Sequence, residues 1–508
     1  MTNSKLKTIT LVGGGSTGWM TALYLSRLYN QQGQQVHIRL IESKDIGIIG
    51  VGEATVHSIR FFFAAMGIDE AELLRETNAT LKTGILFNNW MKPVNGETHS
   101  YFHPFEQQKP CGPVDNASAW IMQNQRIPSD FAQQTCLSFN LMRDNLSPKQ
   151  LNSAQYQGAV PYGYHLDAVL MARFLRKKAI AAGVEHIVAN VTDADVENQQ
   201  ITQVITDNGH FSSDIFIDCT GFKGLLIDKL KADNWQSFEA ELPCNRAVAI
   251  QREYSENTTP RSYTTSTALT NGWVWEIDLT NRQGTGYVYD GNRLTREQAE
   301  AELRRYLGDE QKILKATHLD MKIGCRKEFW VGNCIAMGLA GGFIEPLEST
   351  GLHLINLGVR LLATHLTSAN PSQPIRDSYN RTMNGLYDDL RQFIVLHYCL
   401  SNRDDTEFWQ QAQASVKYTQ GLAEKLALWK VKVCEHVDVA TGFSSIFSDE
   451  NYRYVLYGMQ HVPSINLPVT EQTIDAMLKQ LNMQKTQATS QCLAHQSFLD
   501  KLHHGQNC

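Results

Sequence analysis

The sequence EPLESTG, which ends at Gly351, contains residue types that can bind an anion and accept a proton. Ser349 or Thr350 can cap a helix that begins near Gly351, and the free backbone N–H groups of its first turn would then face outward. Such a helix start suits a small anion. Glu348 beside it is favoured as a carboxylate, the form that can accept a proton from a reacting ring. An equally good interpretation is that Glu345 and Glu348 only complement the helix dipole.

Three further side chains could do chemistry, and each has an ordinary structural alternative. Lys82 lies in the apolar sequence LKTGILF, where a lysine usually directs its ammonium to solvent. If it pointed inward instead, it could donate to, or react with, a ligand in a dry cavity. His103 and Phe105, in YFHPFEQ, could stack on a planar aromatic ligand or simply fill the core.

The sequence GWVWEIDL places two tryptophans two residues apart in a predicted strand. Trp273 and Trp275 therefore point to the same face of the sheet, about 6.6 Å apart along the strand. They form either an aromatic layer in the core or a rigid wall that blocks one route through the protein.

A glycine motif near the N-terminus predicts a dinucleotide site. The stretch KTITLVGGGSTGWM indicates a strand, a turn and a helix, with Gly13, Gly15 and Gly18 in the pattern GxGxxG. These glycines permit a tight turn and a close backbone approach to a pyrophosphate, which the helix N-terminus attracts. A second strand ends at Glu42, where a carboxylate can bind ribose hydroxyls.

Later segments approach the same nucleotide and complete the predicted fold. The helical pattern YHLDAVLMARFLRKKAIAAG stops at Gly183, an apolar strand ends at Thr220 and Gly221, and the strand NCIAMG ends at Gly338. Three separated segments that converge on one dinucleotide are typical of large α/β flavoproteins. Only one dinucleotide motif is present, so the electrons for an FAD would come from another protein.

The composition is that of an ordinary globular protein, with 508 residues, 42% of them hydrophobic, 19% charged, and a net charge of −6. No basic stripe indicates a nucleic-acid partner. Ten cysteines without a CxxC pair favour reduced thiols over a zinc site. Neither a secretory signal nor an apolar run of about 18 residues is present, which predicts a cytoplasmic protein without a membrane segment. The oligomeric state stays open, and a homodimer fits the sequence.

We divide the chain into an FAD-binding and catalytic module at residues 1–405, with the substrate part interleaved, and a mostly helical cap at residues 406–508. Helical patterns dominate the second part. One example is IDAMLKQL, which places Ile474, Leu478 and Leu481 on one face.

Together these pieces resemble the flavin-dependent tryptophan halogenase family. The matching sequences, in family order from about Leu6 to Trp409, are GGGSTGW, GVGEAT, LKTG, HPF, YGYHLDA, FIDCTGF, GWVWEI, GLAGGFIEPLESTGL and HYCLSNRDDTEFW. Jointly they are highly specific, although no single piece is. The resemblance implies an α/β fold with an FAD-binding Rossmann-like module of the aromatic-hydroxylase type, an interleaved substrate sheet and a C-terminal helical cap.

The resemblance also implies a two-stage reaction without a metal. Reduced FAD, supplied by a separate flavin reductase, reacts with oxygen, and a bound chloride or bromide ion is oxidised to hypohalous acid. That oxidant crosses an internal tunnel to an electron-rich aromatic substrate, either a small molecule or a ring carried by a peptide. By position, Lys82 would hold or activate the hypohalous acid, and Glu348 would assist halogen transfer and remove the ring proton. Thr350 and Gly351 match the halide-binding backbone positions.

The resemblance assigns the remaining matched positions to the cofactor, the tunnel and the substrate. Trp273, Trp275 and Ile277 would form a tunnel wall between flavin and substrate. The positions that match substrate contacts are His103, Phe105 and Phe447. The positions that match FAD contacts are Gly13, Gly15, Ser16, Thr17, Gly18, Glu42, Gly50, Gly52, Glu53, Ala54, Thr55, Gly338 and Leu339.

Two departures from the family pattern bear on the substrate. Asp278 stands where the family usually has proline after the isoleucine of the wall motif, which should alter the exit of the strand more than its two indoles. Members that act on free tryptophan carry adjacent tyrosines in the C-terminal lid, whereas WKVKVCEHVDVATGFSSIFSDENY has none before Tyr452, and Phe447 stands where a tryptophan is expected. We therefore expect an aromatic substrate other than free tryptophan, such as an indole derivative or a peptide-borne ring.

Two other functions are compatible with parts of the pattern. An FAD-dependent aromatic hydroxylase would share the fold, but the segment AMGLAGGF lacks the Gly-Asp pair typical of those enzymes, and Lys82 would have no role. A non-catalytic flavin-binding protein would not need Lys82, Glu348 and both tryptophans together.

Overall fold

The computed structural model describes residues 4–33, 35–47, 52–108, 112–150, 152–255, 258–308, 313–419, 421–439 and 446–503. Within these residues the strands are β1 (Thr8–Val12), β2 (His37–Glu42), β3 (Gly52–Ala54), β4 (Thr80–Lys82), β5 (Gly84–Asn88), β6 (Ser100–Pro104), β7 (Gly163–Asp167), β8 (Glu185–Val188), β9 (Val191–Glu197), β10 (Gln200–Thr206), β11 (Gly209–Phe211), β12 (Ile215–Asp218), β13 (Trp235–Ser237), β14 (Arg246–Arg252), β15 (Thr264–Ala268), β16 (Gly272–Asp278), β17 (Gln283–Tyr289), β18 (Ile313–Asp320), β19 (Gly324–Arg326), β20 (Trp330–Val331), β21 (Cys334–Ala336) and β22 (Gly342–Phe343).

The α-helices of the same residues are α1 (Ser16–Tyr29), α2 (Ile59–Ala65), α3 (Glu70–Glu76), α4 (Asn116–Asn124), α5 (Phe131–Thr135), α6 (Leu137–Arg143), α7 (Ala168–Ala181), α8 (Ile227–Leu230), α9 (Arg296–Leu307), α10 (Gly351–His365), α11 (Gln373–Leu400), α12 (Glu407–Gln413), α13 (Leu422–Leu428), α14 (His436–Val439), α15 (Asp449–Gly458), α16 (Glu471–Thr489) and α17 (His495–His503). Short 3₁₀ turns at Gly338–Ala340 and Pro346–Glu348 lie on either side of β22.

A six-stranded sheet in the order β20-β21-β12-β1-β2-β8 forms the nucleotide-binding half. All its pairs are parallel except β20 with β21. Its central strands β1 and β12 are nearly continuous runs of buried residues, as expected for a parallel sheet covered by helices. The three segments predicted to converge on one dinucleotide are therefore adjacent strands, β21, β12 and β1, and the predicted α/β fold is confirmed.

A seven-stranded sheet in the order β18-β14-β17-β16-β15-β5-β6 carries the paired tryptophans. Its pairs are antiparallel except β15 with β5. The strand β16 alternates between two sides, because Val274 lies in a cluster under α9 while Trp273 and Trp275 lie in or against the main core. In this sheet one strand, β15, separates the WVWEI sequence from β5, the strand that follows Lys82.

A small antiparallel sheet, β3-β7-β4, joins the two halves. In its register Glu53 is opposite Leu166 on β7, and Lys82 is opposite Gly163 on the same strand. The GVGEAT segment and the lysine strand therefore share one partner strand, although they are far apart in sequence.

The segment YHLDAVLM begins as a strand and not as a helix. Residues Tyr164 to Asp167 belong to β7, and Asp167 then caps α7 by accepting hydrogen bonds from the backbone N–H groups of Val169 and Leu170. The prediction of a helix start at Tyr164 is wrong, because pairing with both β3 and β4 outweighs local helical propensity. The predicted stop is correct, since Gly183 adopts φ +91°.

The C-terminal residues are helical, as predicted, and they pack closely on the rest of the chain. Helix α15 lies on β6, α16 on α4, α5 and α6, and α17 on α3. One hydrophobic cluster includes Leu11, Trp273, Trp409 and Phe498. The described cysteines are free thiols. None of the described helices is long and apolar enough to span a membrane.

Candidate active site

The glycine turn between β1 and α1 has no room for a side chain at Gly13 or Gly18. Gly13 adopts φ +115°, and a Cβ placed on it would lie 2.2 Å from the carbonyl oxygen of Cys219 at the end of β12. A Cβ on Gly18 would lie 1.9 Å from the carbonyl oxygen of Gly13. The turn and the helix therefore approach β12 as closely as backbone allows, as a pyrophosphate-binding turn requires.

The start of α1 is open for an anion. Gly15 is its N-cap, no side chain caps the first turn, and a Cβ on Gly15 would have no atom within 4 Å. Ser16 and Thr17 form the first turn of the helix. A Cβ on Gly338, which adopts φ +61°, would lie 2.3 Å from Oγ1 of Thr17. The first and third predicted FAD segments therefore touch, with Leu339 in the 3₁₀ turn that follows.

Glu42 lies beside the glycine turn, where a ribose would be bound. Its carboxylate oxygen Oε1 is 2.4 Å from the position that a Cβ on Gly14 would take, and Oε2 is 2.9 Å from Nε2 of His186. The open helix start, the cramped glycines and this carboxylate form a cradle that fits FAD.

Strand β3, which holds the described part of the GVGEAT segment, contacts the tryptophan strand β16. A Cβ on Gly52 would lie 2.8 Å from Cγ2 of Ile277, so these two predicted site residues are in contact. Burial raises the pKa of Glu53 to about 7. Thr55, next to Ala54 of β3, is held by a 2.9 Å backbone hydrogen bond to Tyr164. Gly50, the remaining predicted FAD contact, lies outside the described residues.

Lys82 points inward, which decides between the two interpretations of its sequence. Its side chain is completely buried, and Nζ donates a 2.7 Å hydrogen bond to Oγ of Ser349. Nζ also lies 5.2 Å from the centre of the Phe105 ring. Burial lowers the pKa of Lys82 to about 7, against the opposing effect of the Glu348 carboxylate, so near pH 7 a large fraction of this amine is uncharged.

Glu348 is a buried carboxylate held between two histidines. Nδ1 of His103 lies 3.0 and 2.9 Å from its two oxygens, and Nε2 of His397 lies 2.8 Å from Oε1. Burial alone would raise the pKa of Glu348, but His103 and His397 lower it to about 2. The carboxylate form was expected from the helix dipole; the structure attributes it to the two histidines instead.

The expected side-chain cap of α10 does not form. Thr350 is the N-cap residue but makes no capping hydrogen bond. Ser349 adopts φ +59°, and its hydroxyl faces Lys82. This prediction is wrong because the fold uses Ser349 to bind the buried lysine. Glu345 and Glu348 also lie before α10 and outside its first turn.

The paired tryptophans lie on one face of β16, as predicted, and each has its own partner. Trp275 lies over Gly286 of β17, where a Cβ would come within 2.2 Å of the indole ring. Trp273 is buried, and its Nε1 donates a 2.7 Å hydrogen bond to Oε2 of Glu345. Burial raises the pKa of Glu345 to about 7. The EPLESTG loop therefore holds one indole through Glu345 and presents Glu348 a few residues later.

Comparison with known proteins agrees with this geometry. The family model described as tryptophan halogenase matches residues 8–475. The 7-chloro-L-tryptophan 6-halogenase KtzR of Kutzneria sp. (strain 744) is 36% identical over 450 residues, which cover 83% of this chain and 85% of the relative. The chain belongs to the tryptophan halogenase family. It is a flavin-dependent enzyme, and the family implies the use of FAD and a halide.

Two solved structures support the same assignment for the whole fold. A tryptophan halogenase from Shewanella frigidimarina NCIMB 400 aligns with a TM-score of 0.91 at 32% identity, covering 99% of this chain and 98% of that one. MibH, described as a lathipeptide tryptophan 5-halogenase, aligns with a TM-score of 0.84 at 26% identity, covering 98% and 94% of the two chains.

In this halogenase the predicted substrate residues belong to an aromatic cluster around Glu348. Phe447 stacks on Phe393 with ring centres 3.7 Å apart and an angle of 16° between the planes. Phe393 lies 5.7 Å from His103 and 4.9 Å from Tyr452. His103 contacts the carboxylate directly, Phe447 joins the cluster through Phe393, and Phe105 lies beside Lys82.

Asp278, one of the two predicted departures from the family pattern, is part of an ion-pair network. It lies at the end of β16 and is almost completely buried. Arg261 contacts both carboxylate oxygens, at 2.8 and 3.0 Å, and its backbone N–H donates a third hydrogen bond of 2.9 Å. Burial opposes ionisation, but Arg261 lowers the pKa of Asp278. Strand β16 continues through Asp278, which is its last residue.

Sequence reasoning missed several residues of the halogenase site. His397 lies within the quoted sequence HYCLSNRDDTEFW but was given no role. Asn451 contacts Nε2 of His103 at 2.9 Å. His495, at the start of α17, accepts a 3.2 Å hydrogen bond from the backbone N–H of Leu81, the residue before Lys82. Nothing in the local sequence signals these contacts, because all three are tertiary: the contact of His397 with Glu348 spans 49 positions, and those of Asn451 and His495 span 348 and 414.

Proposed function

We propose that this protein uses reduced FAD, oxygen and chloride or bromide to make hypohalous acid, which halogenates an electron-rich, indole-type aromatic substrate other than free tryptophan. The observation that carries the proposal is the arrangement at the EPLESTG loop. Two consecutive residues of this loop, Glu348 and Ser349, supply a buried carboxylate and the hydroxyl that contacts a buried lysine. Lys82 contacts Ser349, and the neighbouring Glu348 is held by two histidines.

FAD, when bound in the glycine cradle, would supply the oxidising chemistry for the halide. Thr350 and Gly351 are proposed to bind the halide through the uncapped start of α10. Tunnel-wall residues Trp273, Trp275 and Ile277 would then separate the flavin from the substrate and so suppress hydroxylation.

Lys82 suits the role of holding the oxidant. A lysine with a pKa near 7 exists as both amine and ammonium at neutral pH, so it can accept a hydrogen bond from hypohalous acid or donate one to it. The completely buried side chain also keeps bulk water away from the reactive species.

Glu348 suits the role of accepting the ring proton. Its low pKa makes it a weak base, and this is sufficient because a ring that has gained a halogen cation is itself a strong acid. The two histidines hold the carboxylate in a single orientation, so the base is already placed when the halogen arrives.

The departures in the cap support a substrate other than free tryptophan. No adjacent tyrosines precede Tyr452, and Phe447 lies flat on Phe393. The names of the relatives show that the family includes a protein that acts on a chlorinated tryptophan and another that acts on a tryptophan in a peptide. We place the proposed reaction in the cytoplasm, together with a separate reductase that delivers reduced FAD.

The substrate proposal is tested by competition. Purified protein with FAD, a flavin reductase, NADH, oxygen and bromide is given equal amounts of L-tryptophan, simple indoles and short tryptophan-containing peptides. We expect brominated indole or peptide to exceed brominated L-tryptophan by at least about tenfold at early times, equivalent to 1.4 kcal/mol of discrimination. Preferred and regiospecific conversion of L-tryptophan would contradict this part of the proposal.

The residue roles are tested with two variants. Glu348→Gln should lower the halogenation rate about 10²- to 10⁴-fold while FAD binding is retained. Lys82→Ala should abolish halogenation while reduced flavin is still reoxidised by oxygen at the wild-type rate. An unchanged rate in Glu348→Gln removes that residue from the mechanism, and loss of FAD binding in Lys82→Ala means that the lysine was wrongly placed.

A further inference from the structure

The buried histidine His397 has more acceptor contacts than a neutral ring can satisfy. Its Nδ1 lies 2.9 Å from the carbonyl oxygen of Phe393, one turn earlier in α11, and its Nε2 lies 2.8 Å from Oε1 of Glu348. Both partners are acceptor oxygens when Glu348 is ionised. A neutral imidazole carries one N–H, so one of its two contacts would set a nitrogen lone pair against an oxygen.

The other histidine cannot supply the missing proton. The amide oxygen of Asn451 accepts hydrogen bonds from the backbone N–H and the hydroxyl of Ser448, at 2.9 and 3.0 Å. This fixes the amide, so its nitrogen faces Nε2 of His103 at 2.9 Å. His103 therefore accepts at Nε2 and donates from Nδ1 to Glu348, which is a complete set of contacts for a neutral ring.

We propose that His397 is a positioning residue that carries protons on both ring nitrogens, and that its imidazolium orients Glu348 and keeps it ionised during the reaction. Aromatic rings surround it: Phe87, Phe393 and Trp90 lie with their centres 5.0, 5.3 and 6.2 Å from the imidazole. Such rings favour a buried cation. The contact between Nε2 and Oε1 is bent away from ideal hydrogen-bond geometry, but its length of 2.8 Å is that of a nitrogen and an oxygen that share a proton.

Four side chains set the charge balance around Glu348. His103 and Tyr101 face it from β6, Lys82 from β4 and His397 from α11. Tyr101 stays neutral, because burial and the nearby carboxylate raise the pKa of its hydroxyl. Lys82, with a pKa of about 7, is half protonated near pH 7 and loses its charge above that pH. His397 is then the cation in contact with Glu348 that persists as Lys82 loses its proton.

Two substitutions separate the position of His397 from its charge. Asparagine can keep the contact to the Phe393 carbonyl but is too short to reach Glu348, whereas glutamine can place an uncharged N–H near Oε1. His397→Asn should lower kcat about 10²-fold, because Glu348 loses its orientation. His397→Gln should recover most of this loss. Both variants should shift the acidic limb of the kcat profile upward by about one to three pH units, since both remove the cation.

The role in the reaction depends on the proposed function, but the charge of His397 can be measured without turnover. In the full-length protein with FAD bound, ¹⁵N-histidine labelling should show His397, assigned by its loss in His397→Asn, with both ring nitrogens protonated at pH 7 to 8. Glu348→Gln should return it to a singly protonated ring. A singly protonated His397 in the wild type overturns the proposal even if halogenation is observed. The proposal is also overturned if the acidic limb of the kcat profile does not move in either variant, provided that both variants match the wild type in FAD binding and melting temperature.

Discussion

Replacing Lys82 with methionine should stabilise the protein while it abolishes halogenation. The unfolded lysine keeps its proton up to pH 10.5, but burial lowers the pKa in the folded protein to about 7. At pH 6 the folded protein must hold a buried ammonium, at a cost of about 5 kcal/mol for this difference in pKa. At pH 9 the folded amine is neutral, and the cost falls to about 2 kcal/mol.

The pKa of Lys82 is lower in the folded than in the unfolded state, so between pH 7 and pH 10.5 the unfolded state binds more protons. The free energy of unfolding of the wild type therefore rises with pH across this window. Methionine removes the titrating group and also the hydrogen bond to Ser349, a loss of about 1 kcal/mol. Lys82→Met should therefore gain up to about 4 kcal/mol at pH 6 and about 1 kcal/mol at pH 9.

Urea unfolding of wild type and variant at the two pH values measures both gains. Lys92→Met is the matched control, because Lys92 is half exposed and forms a 2.7 Å surface ion pair with Asp404. The control should change stability by less than about 1 kcal/mol at either pH. If Lys82→Met destabilises the protein, or stabilises it no more at pH 6 than at pH 9, the ammonium does not bear the cost that its burial implies.

Three further predictions concern the cofactor cradle, the ion pair between Arg261 and Asp278, and acid stability. Gly18→Ala should weaken FAD binding and also lower the melting temperature of the FAD-free protein. Gly15→Ala places its methyl group in open space, so it should weaken FAD binding but leave that melting temperature nearly unchanged. Equal melting temperatures of the two FAD-free variants would contradict this. Arg261→Met should lower the free energy of unfolding in urea by about 3 to 5 kcal/mol, because it leaves the buried Asp278 carboxylate unpaired. Adding Asp278→Asn should restore part of this stability. If it restores none, the arginine stabilises the protein through packing alone. Burial lowers the pKa of His495 to about 4, so stability should fall by about 1.4 kcal/mol per pH unit for this group between pH 6.5 and 4, and His495→Gln should reduce that slope.

The cofactor half of the site could be predicted because its signals are local. A strand, a glycine turn and a helix lie within some 25 residues, and the steric need for glycine follows from the turn itself. Gly13 and Gly18 occupy the positions where a Cβ would strike backbone. The convergence of the later strands also followed from chain order, since parallel strands in such folds lie side by side.

The reacting half could be predicted only as a set of residue types, because its contacts are tertiary. Lys82 and Ser349 are 267 positions apart, and local sequence favours an exposed lysine and a capping serine. Each residue departs from its local preference to satisfy the other. His397 illustrates the same limit, since its contact with Glu348 depends on how α11 crosses the EPLESTG loop.

The most direct test of the central claim is the mass of the product. Purified protein is combined with FAD, a flavin reductase, NADH, oxygen and an indole panel, with and without bromide, and the products are analysed by mass spectrometry. The account predicts a brominated product with its two-isotope pattern, which disappears without bromide and in Lys82→Ala. A product that gains one oxygen whether or not halide is present, or a brominated product formed by Lys82→Ala at the wild-type rate, would contradict it.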